Sequence, residues 1–275
     1  MTDSPTQPEA NAASSAWLVP DWPAPARVRA ICSTRAGGVS QGPFASLNLG
    51  DHVSDDAVAV AANRAIFARQ LHSETGTAHP VFLQQVHGTE LRWLDAQTPD
   101  GVTADACATR DAAVACVIMV ADCLPVLFTH VDGSAVAAAH AGWRGLAGSV
   151  AGQGVLESTV QELRRESDSE ILAWLGPCIG PEAFEVGAEV REAFCANDPA
   201  AAEHFQPLSE GKYLADLPAL ARQRLRKAGV EKIYGNDSSK SWCTVSNPSR
   251  FFSYRRDQRS LGGSGRFAVA AWLDA

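Results

Sequence analysis

Two apolar runs in the middle of the chain, AAVACVIMVADC and LPVLFTHVDGSAVAAAH, most narrow the choice of architecture. They are rich in apolar and β-branched residues, and the second contains VDGS, a strong hairpin signal, so both read as central strands. Helical spacing surrounds them. SDDAVAVAANRAIFARQL predicts a helix with Ser54 as its N-cap, and AGWRGLAGSVAGQGVLESTVQELRRE predicts a loop running into a second helix. VGAEVREAFCAN and YLADLPALARQRLRKAGV supply two more, the latter closing at Gly229. ILAWLGPCIG and VEKIYG read as further strands. HPVFLQQVHG and TELRWL are expected to pair across a turn at Gly88, leaving His87 at a strand end. The segment WCTVSNPSRFFSYRRDQRSLGGSGR reads as a polar, aromatic and basic loop before a last strand. The expectation is an α/β (α+β) chain with mixed strands, forming a single domain over residues 16–275 behind a disordered tail over residues 1–15. No fixed-period repeat divides it.

At 275 residues, with 46% hydrophobic and 20% charged side chains, the chain can build a core without disulfides or structural metal. A net charge of −8 argues against nucleic acid and anionic membrane as partners. No apolar stretch approaches a membrane span, and MTDSPTQPEANAASS lacks the basic and apolar regions of a signal peptide, so a cytoplasmic location is expected. The seven cysteines show no CxxC spacing and read as reduced thiols.

Against this background the polar interruptions stand out. Asp122 and Cys123 break an otherwise apolar run, and a buried carboxylate requires a partner. The predicted hairpin brings Cys123 and His140 to one sheet edge, where His87 can join them. Two imidazoles and a thiolate would leave a fourth tetrahedral position open on a catalytic zinc. The same atoms also suit a nucleophilic Cys123 with His140 as base and Asp122 as orienting group, and both readings need a depressed thiol pKa. The residue pattern leaves these open beside a third reading, a buried thiol with satisfied structural histidines. Arg35, Arg144, Arg255 and Arg256 lie beside glycine, serine or aromatic residues in expected loops, where a guanidinium fork suits a phosphate. Phe251, Phe252 and Tyr254 are either core or a stacking platform for a planar ligand.

In order, STRAGGVSQGPFASLNLGDHVSDD, LQQVHG, ADC, AAAHAGWRGLAG, LGPCIGPEAFEVG, FFSYRRD and SGR complete the pattern. The chain resembles the family described both as multicopper polyphenol oxidoreductase (laccase-domain) proteins and as bacterial purine nucleoside phosphorylases of the adenosine- and inosine-processing type. The resemblance implies an α-β sandwich shared distantly with the cytotoxic necrotizing factor-type cysteine hydrolases. It implies one zinc held by His87, Cys123 and His140, with nucleoside and phosphate as small-molecule substrates. The implied activity is phosphorolysis of adenosine, inosine and methylthioadenosine together with adenosine deamination, for which a metal-activated water is suited to purine C6. On motif position, Arg144, Arg35 and Arg255 would contact phosphate or ribose, and Asp122 would orient a ligand or relay protons. Ser264 stands where the family more often has threonine, and the N-terminal tail is an addition.

Rival readings are a copper-dependent polyphenol oxidase, an enzyme acting on peptidoglycan precursors in cell-wall quality control, and a metal-holding partner protein without catalysis. Copper could occupy such a nitrogen and sulfur site, but the seven histidines include none of the HxH pairs of a multicopper cluster. The phenol oxidase therefore ranks below a zinc enzyme. Nothing in the sequence sets an oligomeric state.

Overall fold

Strands buried on both faces make the core of the computed structural model, which describes residues 17–75, 78–148 and 152–275. The expected tail over residues 1–15 lies outside the described residues. In chain order the elements are β1 (Val28–Cys32), α1 (Ala57–Thr75), β2 (His79–Phe82), β3 (Leu91–Trp93), β4 (Ala106–Thr109), β5 (Val114–Val120), β6 (Leu124–His130), β7 (Val136–Ala141), α2 (Trp143–Ala147), α3 (Val155–Glu166), β8 (Ile171–Leu175), β9 (Glu185–Val186), α4 (Ala188–Cys195), β10 (Phe205–Pro207), β11 (Tyr213–Ala215), α5 (Leu217–Lys227), β12 (Lys232–Gly235), α6 (Tyr254–Leu261) and β13 (Phe267–Leu273). One sheet has the order β1-β13-β5-β2, a second β12-β8-β6-β7-β4-β3, and a small third β10-β11-β9. The first two sheets are mixed: β2 runs parallel to β5, and β3–β4 and β8–β12 are parallel pairs, while the β6–β7 hairpin is antiparallel.

The period of two along each strand sorts its side chains into layers. In β5, Cys116, Ile118 and Val120 face Leu127, Ala138 and Trp174 of the second sheet. Its alternate residues Ala115, Val117 and Met119 face Phe67 and Leu71 of α1. In β7, Ala137, Ala139 and Ala141 turn away from the first sheet toward Leu156, Val160 and Leu163 of α3 and Leu220 and Leu225 of α5. The result is helix, sheet, sheet, helix: the mixed α/β chain expected from the sequence, arranged as the sandwich that the family resemblance implies. Each large side chain so buried contributes about 1.5–3 kcal/mol, which explains why the apolar runs lack a polar face.

Several local expectations are corrected. Ser54 does not cap α1; it adopts a left-handed φ of 67° before the helix, and Asp56 accepts the Val58 amide instead. The runs before and after His87 do not pair with each other: β2 joins β5 in one sheet and β3 joins β4 in the other. Burial of β2 against α1 and the first sheet outweighs the local turn. The helix before Gly229 starts only at Leu217, capped by the Asp216 carboxylate on the Ala219 amide. Finally, Tyr254–Leu261 is a helix rather than loop, with Ser253 accepting the Arg256 amide as N-cap.

Candidate metal centre

Register alone delivers two donors to one place. Cys123 immediately precedes β6, and His140 is the ladder partner of Pro125, so thiol and imidazole share one end of the second sheet. His87 arrives from the turn that separates the two sheets, at a left-handed φ of 61° that is uncommon for a residue with a Cβ.

Asp105, just before β4 and fully buried, holds that turn. Its carboxylate accepts the amides of Val86 at 3.1 Å, His87 at 2.9 Å and Gly88 at 2.6 Å, and bonds Nδ1 of His140 at 2.8 Å. One carboxylate thus fixes the loop that presents the first imidazole and the tautomer of the second, leaving Nε2 of His140 as the donor. The glycines of HAGWRG let the pieces meet. A Cβ on Gly142 would lie 2.7 Å from His87 Cδ2 and 3.0 Å from Cys123 Sγ, and one on Gly145 would lie 2.7 Å from the Gly88 carbonyl.

The donor atoms of His87, Cys123 and His140 all lie within 4.8 Å of one another. Sγ of Cys123 is 3.7 Å from Nε2 of His87, and the two imidazoles meet edge to face with centroids 4.7 Å apart. A tetrahedral zinc sets thiolate sulfur and imidazole nitrogen about 3.5 Å apart, so the set fits such an ion. Burial by itself raises the Cys123 thiol pKa, but the positive charge of His140 and hydrogen bonds from both imidazoles override it and bring the thiol to about 6. Burial likewise disfavours the His140 imidazolium, yet the Cys123 thiolate and the Asp105 carboxylate raise its pKa to about 9. At neutral pH the pair is therefore a thiolate and an imidazolium. That ionisation also suits a cysteine nucleophile; two imidazoles converging on one sulfur distinguish the metal arrangement.

The donors open into a cavity of about 340 Å³, large enough for a small-molecule ligand. Met119, Val120, Ile179 and Phe184 supply apolar wall, while His52, Gln85, Tyr254, Arg255 and Arg266 are polar. Gln85 is locked, donating to the Met119 carbonyl and accepting its amide, both at 2.8 Å.

The structure redistributes the other expected residues. Asp122 lines the cavity, but its carboxylate accepts the Thr244 hydroxyl and the Arg255 amide, each at 2.6 Å, and so pins the start of α6. The carboxylate orienting His140 is that of Asp105. Arg255 lines the cavity and donates to the carbonyls of Ala183 and Glu185. Arg35 does not reach it: its guanidinium binds the Ala45 and Pro248 carbonyls and lies over the Phe252 ring. Arg144 is exposed and stacks on Trp143 outside the cavity, and Arg256 pairs with Asp257. Phe251 and Phe252 are fully buried core, whereas Tyr254 is half exposed at the cavity wall. Sequence reasoning missed Asp105, although TADACATR shows the same carboxylate among apolar neighbours that singled out Asp122. It also assigned no role to His52, Gln85 and Arg266, although they lie in GDHVSDD, LQQVHG and SGR, segments that carry the family resemblance.

A family model described as multi-copper polyphenol oxidoreductase laccase matches residues 29–274 of the chain. A protein of Pseudomonas aeruginosa named as a purine nucleoside phosphorylase is 50% identical over 260 residues, covering 94% of this chain and 99% of that one. The Escherichia coli protein named purine nucleoside phosphorylase YfiH is 47% identical over 256 residues, covering 93% and 98%. Among solved structures, a Neisseria meningitidis protein superposes with a TM-score of 0.80 at 44% identity, covering 94% of this chain and all of that one. YlmD from Geobacillus stearothermophilus gives 0.77 at 30% identity, covering 91% and 93%.

Proposed function

The chain belongs to the multi-copper polyphenol oxidoreductase laccase family, and from that premise we propose that it is a zinc-dependent purine nucleoside phosphorylase. In this reading it accepts adenosine, inosine and methylthioadenosine and also deaminates adenosine. The observation that carries the proposal is the convergence of His87, Cys123 and His140 at a cavity with apolar walls and cationic side chains. The names of the relatives point to the same substrate class.

Phosphorolysis forms a bond from a phosphate oxygen to C1′ of the ribose and breaks the glycosidic bond to the purine, which departs with the electron pair and takes up a proton. When bound at the three donors, zinc would supply a Lewis acid and a water acidified toward neutrality. The protein's own groups do the rest. Asp105 holds both histidines in their working geometry, and Ile179, Met119 and Phe184 give a planar base an apolar, water-poor seat. Arg255 places positive charge at the same wall. A phenol oxidase with several coppers would need more donors than these three, which form the site that could hold a metal among the described residues. We read residues 16–275 as one catalytic domain working in the cytoplasm. Among the described residues no helix is long and apolar enough to cross a membrane.

The test is incubation with adenosine, with and without phosphate, beside a Cys123→Ala control, separating adenine, inosine and hypoxanthine by chromatography. Adenine that forms only with phosphate, and not in the variant, is the expected result. No product from adenosine, inosine or methylthioadenosine removes the reading, and cell-wall precursors and phenols become the next substrates to assay.

A further inference from the structure

The metal cavity continues past its own wall. A second cavity of about 500 Å³ adjoins it, and His52, Tyr254 and Arg266 line both. Together they offer more room than a nucleoside-sized ligand needs, and between them stands the Arg266 guanidinium, which feels the Cys123 thiolate and the Asp122 carboxylate across the cavity but is in salt-bridge contact with no carboxylate among the described residues. Among the described residues the Nη1 of Arg266 donates to the carbonyls of Ser264 at 2.9 Å and Gly265 at 3.1 Å, its guanidinium lies 5.9 Å from the centre of the Tyr254 ring, and Nε and Nη2 have no hydrogen-bond partner. The more buried Arg224, by contrast, is matched by Glu157 at 2.8 Å. No carboxylate lines the second cavity among the described residues, and Asp122 in the first already accepts the Thr244 hydroxyl and the Arg255 amide.

Arg266 is also held in place. Its amide donates to Asn48 Oδ1 at 2.8 Å, its carbonyl accepts the Leu49 amide at 3.0 Å, and its stem lies against Gly50, where a Cβ would come within 2.8 Å of Cγ. A fixed guanidinium with one edge unused, at the junction of two cavities, is built for an oxyanion. We propose that Arg266, with His52 beside it, forms the anion subsite of this centre and takes a phosphoryl dianion.

Two sources share that chemistry, free phosphate and a phosphoryl group carried by a nucleotide. Free phosphate as the source rests on the phosphorylase reading; the subsite itself does not. Zinc-loaded full-length protein and its Arg266→Gln and Arg266→Lys variants are compared in three measurements: the phosphate KM with inosine, competition by adenosine 5′-monophosphate, and crystals soaked in tungstate, whose anomalous signal locates the anion. Arg266→Gln is expected to raise the phosphate KM at least about tenfold, with partial recovery in Arg266→Lys, while zinc content and melting temperature stay at the wild-type level. Tungstate is expected at Arg266 in the wild type and not in Arg266→Gln. Competition that depends on Arg266 without a phosphate effect keeps the subsite and assigns it to a nucleotide. If nucleosides are not cleaved but tungstate sits at Arg266, the subsite stands and the phosphorylase reading falls. Cleavage with an unchanged phosphate KM, nucleotide competition independent of Arg266, and tungstate elsewhere or nowhere overturns the proposal and leaves the phosphorylase reading intact.

Discussion

At the scale of single residues, the centre depends on a carboxylate that is not itself one of the three donors. Asp105 bonds His140 and three successive amides of the His87 turn, so replacing it disturbs two of three donors at once. Asp105→Asn is expected to lower zinc affinity about 10–100-fold, measured by competition with a chromophoric chelator. If affinity is unchanged, Asp105 does not act through the histidines. Proton bookkeeping gives a second expectation. With the thiol at about 6 and the imidazolium at about 9, the metal-free pair holds one proton near neutrality, on His140. Metal binding must expel it, so apparent affinity should climb about tenfold per pH unit between these two values and level off above about 9. Calorimetry in buffers of different ionisation enthalpy would read one proton released from this pair in that window, and a pH-independent affinity would contradict the ionisation assigned here. His87, Cys123 and His140 stood out in the sequence because each sits in a polar interruption of an apolar or turn-rich segment, but that pattern did not separate a metal ligand from a nucleophile, and the ligand set was what the family resemblance implied. Asp105 was legible by the same criterion, whereas Arg266, though part of the SGR motif, becomes conspicuous only once its place between two cavities is visible in three dimensions.

At the scale of elements, the central hairpin was read correctly, whereas the pairing of strands with remote partners, the Ser54 cap, the start of α5 and the helix Tyr254–Leu261 were not. The β6–β7 hairpin follows from VDGS and adjacent apolar runs, and it sets Cys123 and His140 side by side. The strands flanking His87 looked like another hairpin, yet each finds its partner in a different sheet, because burial on both faces outweighs a short turn. That separation positions the imidazole: the His87 turn crosses from one sheet to the other and lies against the start of α2. Gly142 is the point of closest approach. Gly142→Ala would push a methyl group into His87 and Cys123 while leaving the strands untouched, so loss of zinc binding with near-native circular dichroism is expected. Retained zinc would show that the turn can shift by a few tenths of an ångström without losing its donors.

At the scale of the whole molecule, the centre is a crossing point for both large sheets and a late helix. His87 follows a strand of the first sheet, Cys123 and His140 belong to the second, Asp122 ties their junction to α6, and Arg266 stands just before β13 at the other end of the sequence. A mixed α/β chain was legible in the apolar strands and the sandwich came with the family resemblance, but which strand joins which sheet was not legible, since strands buried on both faces carry no alternation to mark a face. An ion bound where these segments meet is linked to the global folding equilibrium, because the unfolded chain does not assemble the donors. At a free zinc concentration about 100 times the dissociation constant the added stability is about 2.7 kcal/mol, equivalent to a melting shift of roughly 5–10 °C for a chain of this size. Chelation should therefore lower the melting temperature of the wild type by about that amount, as scanning fluorimetry would show, and leave a Cys123→Ala protein nearly unmoved. An equal fall in both would mean that the chelator acts elsewhere, and no fall in either would mean that His87, Cys123 and His140 hold no ion in solution.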